Sequence, residues 1–105
     1  MEKSSLSFRP IEPKDSDLLL KWRNDPETRR QSARREPVNE GEHKAWLSGV
    51  FGNPSLKIYM CLADGKCVGT FRLDSRRQGT EVSWTVAPEY RGRGLGRDIV
   101  ALAAN

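Results

Sequence analysis

The sequence is poor in the residues on which metal centres, redox sites and membrane spans depend. It contains one histidine and two cysteines in 105 residues, which are too few ligands for a zinc site. It has no run of about 18 apolar residues, the length that a membrane-spanning helix needs, and its N-terminal segment lacks the apolar stretch of a secretion signal. These absences predict a cytoplasmic protein that binds no metal and does not span a membrane.

The length and the charge of the chain limit its organisation and its partners. A chain of 105 residues has room for a single domain, or for part of one, and we expect residues 1–105 to form one domain. Its net charge of +4 and its isoelectric point of about 9.4 favour acidic partners such as phosphates, nucleotides or nucleic acid, without choosing among them.

The two cysteines flank a turn signal. Asp64-Gly65 lies between two apolar runs and predicts a type I′ hairpin, in which Leu62 pairs with Cys67 and Cys61 pairs with Val68. Because side chains alternate between the two faces along a strand, the two sulfur atoms would point to opposite sides of the sheet. We therefore expect no disulfide bond between them.

The other patterns predict a mixed α/β (α+β) chain of strands and helices. Alternating apolar residues and turn signals mark the strands, and apolar residues at helical spacing mark the helices, with Asn39 as a candidate N-cap. The predicted order is a strand in "SLSFRPI" (5–11), a helix in "SDLLLKWRND" (16–25), an exposed loop or short irregular helix in "PETRRQSARREP" (26–37), a helix in "NEGEHKAWLSGVF" (39–51), an antiparallel meander of strands at 56–63, 66–73 and 80–86, a glycine loop, and a helix from Leu95.

The loop "VAPEYRGRGLGRDIV" (86–100) combines three glycines with three arginines at the start of an apolar helix. A dinucleotide fingerprint starting at Gly92 would require a glycine where the chain has Arg97, and a Walker P-loop would require Gly-Lys-Ser or Gly-Lys-Thr. With both excluded, the glycines still allow main-chain N–H groups to converge beside the positive end of the new helix. The loop therefore predicts an anion cradle, to which Arg91, Arg93 and Arg97 can add contacts with phosphates; the alternative is an ordinary strand-to-helix turn with solvated arginines.

The last predicted strand has one polar and one apolar face. Glu81, Ser83 and Thr85 alternate with Val82, Trp84 and Val86. This alternation is typical of a half-buried strand, and it leaves a polar surface next to the glycine loop.

The motif "V-x-P-x-Y-R-G-x-G-L-G-R" resembles the acetyl-CoA-binding motif of the GNAT N-acetyltransferase superfamily. The predicted order of elements is similar to the first two thirds of that fold, so the resemblance covers nearly all 105 residues. Within the superfamily, "RP", "LLLKWRNDPETRR", "EHKAW" and "DGKCVGTFRLD" look most like enzymes of the pseudaminic-acid type, which acetylate an amino group on a nucleotide-linked sugar. The segment "WRND" also resembles ribosomal-protein N-terminal acetyltransferases.

The resemblance implies an enzyme that moves an acetyl group from acetyl-CoA to a primary amine on a small molecule or a peptide. It implies that main-chain groups hold the cofactor and that the pantetheine arm pairs with the last strand as if it were another strand. The residues implied are Gly92, Arg93, Gly94, Leu95 and Gly96 at the pyrophosphate, with Arg91 and Arg97 beside it, and Trp84, Thr85 and Val86 along the pantetheine arm.

The implied reaction is direct attack of an amine on a thioester carbonyl, and the amine must first be neutral. Glu81 is the carboxylate best placed by strand position to take the proton, directly or through water, unless it is an ordinary exposed strand residue. His43 is the other residue that titrates near neutrality. The sequence favours a His43 that faces solvent on its helix or supports an acceptor pocket.

Members of the superfamily usually continue through a further strand, a helix and a hairpin, which do not follow in this sequence. We therefore expect half a cofactor cleft and an unpaired strand edge. Three explanations remain open: a fragment of a longer protein, a short form completed by a second copy in a homodimer, or a CoA-binding remnant without activity. A rival interpretation takes "RRQSARR" (29–35) as a nucleic-acid footprint, although no stacking aromatic residues interleave these arginines.

Overall fold

The computed structural model describes residues 6–31, 36–92 and 94–103. Its order of elements confirms the predicted fold, and the segment predicted as a loop or a short helix begins with a short helix. No helix in these residues is both long enough and apolar enough to cross a membrane. The strands are β1 (Leu6–Pro10), β2 (Leu56–Ala63), β3 (Lys66–Arg76) and β4 (Gly79–Val86); the helices are α1 (Ser16–Arg23), α2 (Pro26–Gln31), α3 (Glu40–Phe51) and α4 (Leu95–Ala103), with single 3₁₀ turns at Pro13–Asp15 and Pro88–Tyr90.

The four strands form one antiparallel sheet in the order β1-β2-β3-β4. This order confirms the predicted meander of β2, β3 and β4. The β2–β3 turn has Asp64 at φ 52° and Gly65 at φ 79°, the two positive angles that a type I′ turn requires. The hairpin between β3 and β4 places β4 at one edge of the sheet.

A β-bulge interrupts the pairing of β2 with β3. Leu62 pairs with Cys67 as predicted, but Cys61 pairs with Gly69, so the predicted pairing of Cys61 with Val68 is wrong. The physical reason is that Val68 is one extra residue on β3, and its fully buried side chain joins the core. Cys61 is buried, Cys67 is partly exposed, and both thiols are free.

One compact unit combines the sheet with α4. Its core lies between them, where Leu95 and Ile99 of α4 pack against the face of the sheet that carries Phe71. Ile99 is fully buried. This packing fixes the start of α4 against β3 and β4, the strands that lead into the glycine loop.

The second compact unit, Glu12–Gly52, contains α1, α2 and α3. The guanidinium of Arg23 on α1 donates through Nη1 to His43 Nδ1 on α3 at 3.0 Å. The same guanidinium lies 4.5 Å from the ring centroid of Trp46, a cation–π contact. Trp22, the preceding residue, is buried.

The connection between α1 and α3 is held by side chains that bond to the main chain. Asn24 Nδ2 donates to the Val38 carbonyl oxygen at 2.8 Å, and Asn24 Oδ1 accepts from the Val38 N–H at 2.7 Å. Asp25 Oδ2 accepts from the Thr28 N–H at 3.1 Å, at the start of α2. The predicted N-cap is confirmed, because Asn39 Oδ1 accepts from the N–H of the third helical residue of α3 at 2.8 Å. Every residue of "WRND" therefore has a structural task in this unit.

Candidate functional site

Strand β4 is the edge of the sheet, and its register decides which main-chain groups face outward. The Ala87 N–H donates to the Val68 carbonyl oxygen at 2.8 Å. Because hydrogen-bonded and non-hydrogen-bonded pairs alternate in an antiparallel ladder, the main chain of Thr85 bonds to β3, while Trp84 and Val86 direct their N–H and C=O groups away from β3. No strand of the described residues pairs with that outer edge.

After β4 the chain makes a glycine turn into α4. The Tyr90 N–H donates to the Ala87 carbonyl oxygen at 2.9 Å and closes a 3₁₀ turn. Gly92 and Gly94 then adopt φ angles of +82° and +76°, the left-handed region that other residues rarely occupy. A Cβ atom on either glycine would meet no atom within 4 Å, so the backbone conformation, not crowding, requires glycine here.

Helix α4 begins directly after this turn with main-chain donors at its open end. The Asp98 N–H donates to the Gly94 carbonyl oxygen at 3.4 Å. The N–H groups of Leu95, Gly96 and Arg97 precede Asp98, so they lie in the first turn of the helix, where N–H groups have no partner inside the helix. These donors and the positive end of the helix dipole suit an anion.

The first turn of α4 lies directly against the edge strand. A Cβ atom on Gly96 would lie 3.3 Å from Trp84 Nε1 and 3.7 Å from Val86 Cγ2. Gly96 therefore allows a close approach of helix and strand, in addition to any role of its main chain. The period-two alternation along β4 puts the side chains of Trp84 and Val86 on one face, but their contact with Gly96 could not be predicted from the sequence.

The predicted arginines surround the turn. Arg91 and Arg97 are exposed, on either side of the two left-handed glycines. Arg93 lies outside the residues that the structure describes. The structure thus brings together the described members of the predicted cofactor site at the end of β4 and the start of α4.

Glu81 is exposed near the other end of β4. It pairs with Asp74 across the strands, and its Oε2 lies 3.5 Å from Arg76 Nε. It lies three positions before Trp84, which corresponds to about 10 Å along a strand. This position leaves the carboxylate open to solvent beside Arg76.

The face of the sheet that carries Glu81 holds a second polar row, which sequence reasoning missed because it requires the β3–β4 register. Arg72 lies opposite Ser83 and donates to both carboxylate oxygens of Asp74, at 2.8 Å from Nε and 3.2 Å from Nη2. The hydrogen bond from Arg72 holds the pKa of Asp74 below its ordinary value. Both carboxylates are ion-paired, Asp74 with Arg72 and Glu81 with Arg76, and Glu81 is the more exposed of the two.

His43 occupies a different position from the predicted one. It is fully buried, so the expectation that it faces solvent is wrong. Its Nε2 lies 2.9 Å from the Ser16 carbonyl oxygen and must carry the proton, while Nδ1 accepts from Arg23. Burial lowers the pKa of His43 below 6.5, and the charge of Arg23 lowers it further. Both nitrogens have partners, so a substrate amine finds no free lone pair on this ring.

No group of three or more histidine, cysteine, aspartate or glutamate residues in the described ranges could hold a metal ion. Cys61 is also no reactive thiol, because burial raises its pKa to about 12.

The fold of the chain is shared with known acetyltransferases. A family model described as an acetyltransferase (GNAT) domain matches residues 5–105. Spermidine N-acetyltransferase from Vibrio cholerae, solved with CoA and spermine, is 19% identical with a TM-score of 0.81, over 95% of this chain and 62% of that chain. An acetyltransferase from Thermus thermophilus is 19% identical with a TM-score of 0.81, over 99% and 70% of the two chains. Aminoglycoside acetyltransferase AAC(6')-Ib, solved with coenzyme A, is 18% identical with a TM-score of 0.77, over 95% and 66%.

At this level of identity the solved structures show a shared fold. The chain spans 62% to 70% of the length of these three structures. No curated protein matches the chain at a significant level.

Proposed function

The chain belongs to the acetyltransferase (GNAT) domain family, and on that premise we propose that it binds acetyl-CoA for an N-acetyltransferase that acetylates a primary amine. One observation carries this proposal. Two left-handed glycines lead into the first turn of α4, directly beside the outer edge of β4. This arrangement puts main-chain donors for a diphosphate next to main-chain groups for an extended arm.

The main-chain amides from Gly92 to Gly96 bind the diphosphate of acetyl-CoA. Arg93 is included on the sequence alone, because it lies outside the described residues. The open first turn of α4 supports this assignment, since its N–H groups and the helix dipole favour a negative group. Arg91 and Arg97 add positive charge on either side.

The pantetheine arm lies along the outer edge of β4. Trp84 and Val86 supply the hydrogen bonds, because the register directs their main-chain groups outward. Thr85 bonds to β3 through its main chain, so we assign it no main-chain contact with the arm. Its side chain lies instead on the polar face shared with Glu81.

The reaction is the transfer of an acetyl group from a thioester to an amine. The neutral amine attacks the carbonyl carbon, a C–N bond forms, the C–S bond breaks, and the sulfur leaves as the thiolate. We assign Glu81 as the base that takes the proton from the amine, directly or through a water molecule. Its exposed carboxylate supports this role, and the two hydrogen bonds of His43 make that residue the weaker candidate.

The acceptor is a small-molecule or peptide amine, and a nucleotide-linked amino sugar remains the finer proposal from the resemblance. The residues that suggested that subfamily include Trp22, Arg23, Asn24 and Asp25, whose structural tasks explain them without an acceptor. The cytoplasmic location, the single domain and the homodimer predicted from the sequence stay predictions.

The nucleic-acid alternative receives little support from the described part of "RRQSARR". Arg29 Nε donates to the Asn24 carbonyl oxygen at 3.1 Å, and Arg30 lies 3.2 Å from Glu27. Arg34 and Arg35 lie outside the described residues.

A second alternative, a CoA-binding remnant without activity, makes the same prediction for CoA binding and differs only in turnover.

Substitution of Gly94 by valine tests the cradle. Valine is strongly disfavoured at a φ of +76°, so the turn should open and the affinity for acetyl-CoA, measured by calorimetry, should fall at least tenfold. The mass of the protein in solution, measured in parallel, reports whether binding occurs in a monomer or a dimer.

Gly65→Val is the matched control for this experiment. Gly65 has a φ of +79° and the same open space around a Cβ atom, but it lies in the β2–β3 turn. Gly65→Val should lose about as much stability as Gly94→Val and keep its affinity for acetyl-CoA. Equal affinities of Gly94→Val and the unmodified chain would contradict the assigned cradle.

A further inference from the structure

Both the main chain and the side chain of Trp84 lie at the proposed cofactor site. Its main-chain groups point to the outer edge of β4, and its indole lies on the sheet face that carries Phe71, its partner on β3. The side chain is not enclosed by this packing, since Trp84 is 50% exposed.

The indole nitrogen lies beside the first turn of α4. A Cβ atom on Gly96 would be 3.3 Å from Trp84 Nε1 and 3.8 Å from Cδ1. Because Cβ is about 2.5 Å from the amide nitrogen of its own residue, Nε1 lies within about 6 Å of the Gly96 nitrogen. The pyrrole edge of Trp84 therefore lies close to the first-turn amide of Gly96.

An indole N–H can only donate a hydrogen bond, and Trp84 Nε1 makes no hydrogen bond to another of the described residues. A donor in this position adds to the donors of the first helical turn and makes the space they border more favourable for an anion.

We propose that the Trp84 indole N–H donates a hydrogen bond to the diphosphate of CoA. This inference rests on the proposed function. Trp84 then contacts both parts of the ligand: its main chain pairs with the pantetheine arm, and its side chain binds the diphosphate.

Nuclear magnetic resonance of the indole N–H groups tests this directly. The chain has three tryptophans, and the resonance that disappears in Trp84→Phe belongs to Trp84. It should move downfield on titration with CoA and with saturating inorganic pyrophosphate. Trp22, which is buried, and Trp46, which is half-buried, serve as internal references.

The affinity for CoA supplies the second measurement. Trp84→Phe keeps an aromatic ring on Gly96 but removes the N–H, and it should bind CoA about tenfold more weakly by calorimetry, the usual effect of losing a hydrogen bond to a charged group. Val82→Ala, a change at the exposed neighbour on the same face, should keep the affinity within twofold. If Trp84→Phe unfolds at the same midpoint temperature as the unmodified chain, the fold of the variant is intact.

Three results would each overturn the role of Trp84. The first is a Trp84 resonance that does not move when CoA binds, and the second is a shift that saturating pyrophosphate does not reproduce. The third is an affinity of Trp84→Phe for CoA within twofold of that of the unmodified chain. A chain that binds no CoA at all would instead contradict the proposed function. The two failures are therefore distinguishable in the same experiment.

Discussion

Asn24→Ala should destabilise the helical unit by much more than its small change in volume suggests. The substitution removes two hydrogen bonds, at 2.8 and 2.7 Å, that satisfy both main-chain groups of Val38. Val38 is only 8% exposed, so water replaces these bonds poorly. With about 1 kcal/mol for each bond and a further penalty for unpaired buried groups, we expect a loss of about 2–4 kcal/mol. That is a large part of the total stability of a domain of this size, about 5–15 kcal/mol.

Urea denaturation followed by tryptophan fluorescence measures this loss. Asn53→Ala is the matched control, because Asn53 Oδ1 accepts a hydrogen bond from the Ser55 N–H at 2.9 Å in an exposed turn. There water can replace the lost partner, and the expected change is below about 0.5 kcal/mol. If Asn24→Ala were no more destabilised than Asn53→Ala, the reasoning that Asn24 holds the connection between α1 and α3 would be refuted.

Two further predictions concern titrating groups. Burial and Arg23 lower the pKa of His43 below 6.5 in the folded chain, while the hydrogen bond to the Ser16 carbonyl and the charge of Asp17 oppose this. The fold therefore favours the neutral ring. The stability from His43 is complete above pH 6.5 and falls as the pH decreases towards the lowered pKa. Urea midpoints at about pH 7.5 and about pH 5 should therefore differ less in His43→Gln, and an unchanged difference would exclude His43 as the cause. Glu81→Gln should slow acetyl transfer to a primary amine by about 10²- to 10⁴-fold without loss of acetyl-CoA affinity, and the rate is measured by release of the CoA thiol. Glu89→Gln, at another exposed carboxylate near the glycine turn, is the control and should keep the rate. A rate within threefold of the unmodified chain for Glu81→Gln would remove Glu81 as the base.

Local signals in the sequence were sufficient to predict most of the fold. The turn at Asp64-Gly65, the cap at Asn39 and the glycines before α4 each act within a few residues of chain, so their structural effect is readable from sequence spacing. The bulge at Val68 was not readable in this way. It depends on the burial of Val68 in the core and on the close approach of β4 to Gly69, and both are tertiary effects.

The candidate site could be predicted from the sequence only in part. The glycine turn and the outer strand followed from sequence patterns and from a family resemblance. The outward direction of Trp84 and Val86, as opposed to Thr85, required the β3–β4 register. The burial of His43 escaped prediction because its neighbours on the helix, Glu42 and Lys44, are polar, and its partners Ser16 and Arg23 are distant in sequence.

The extra residue in β3 has an effect beyond the hairpin in which it lies. If pairing had continued without interruption from the β2–β3 turn, the side chains after Val68 would occupy the opposite sides of the sheet, and Phe71 would turn away from α4. Strand β4 takes its orientation from β3, so Glu81 would then point towards the helix and Trp84 away from it. A single inserted position thus determines which side of the outermost strand presents an aromatic ring and which presents a carboxylate.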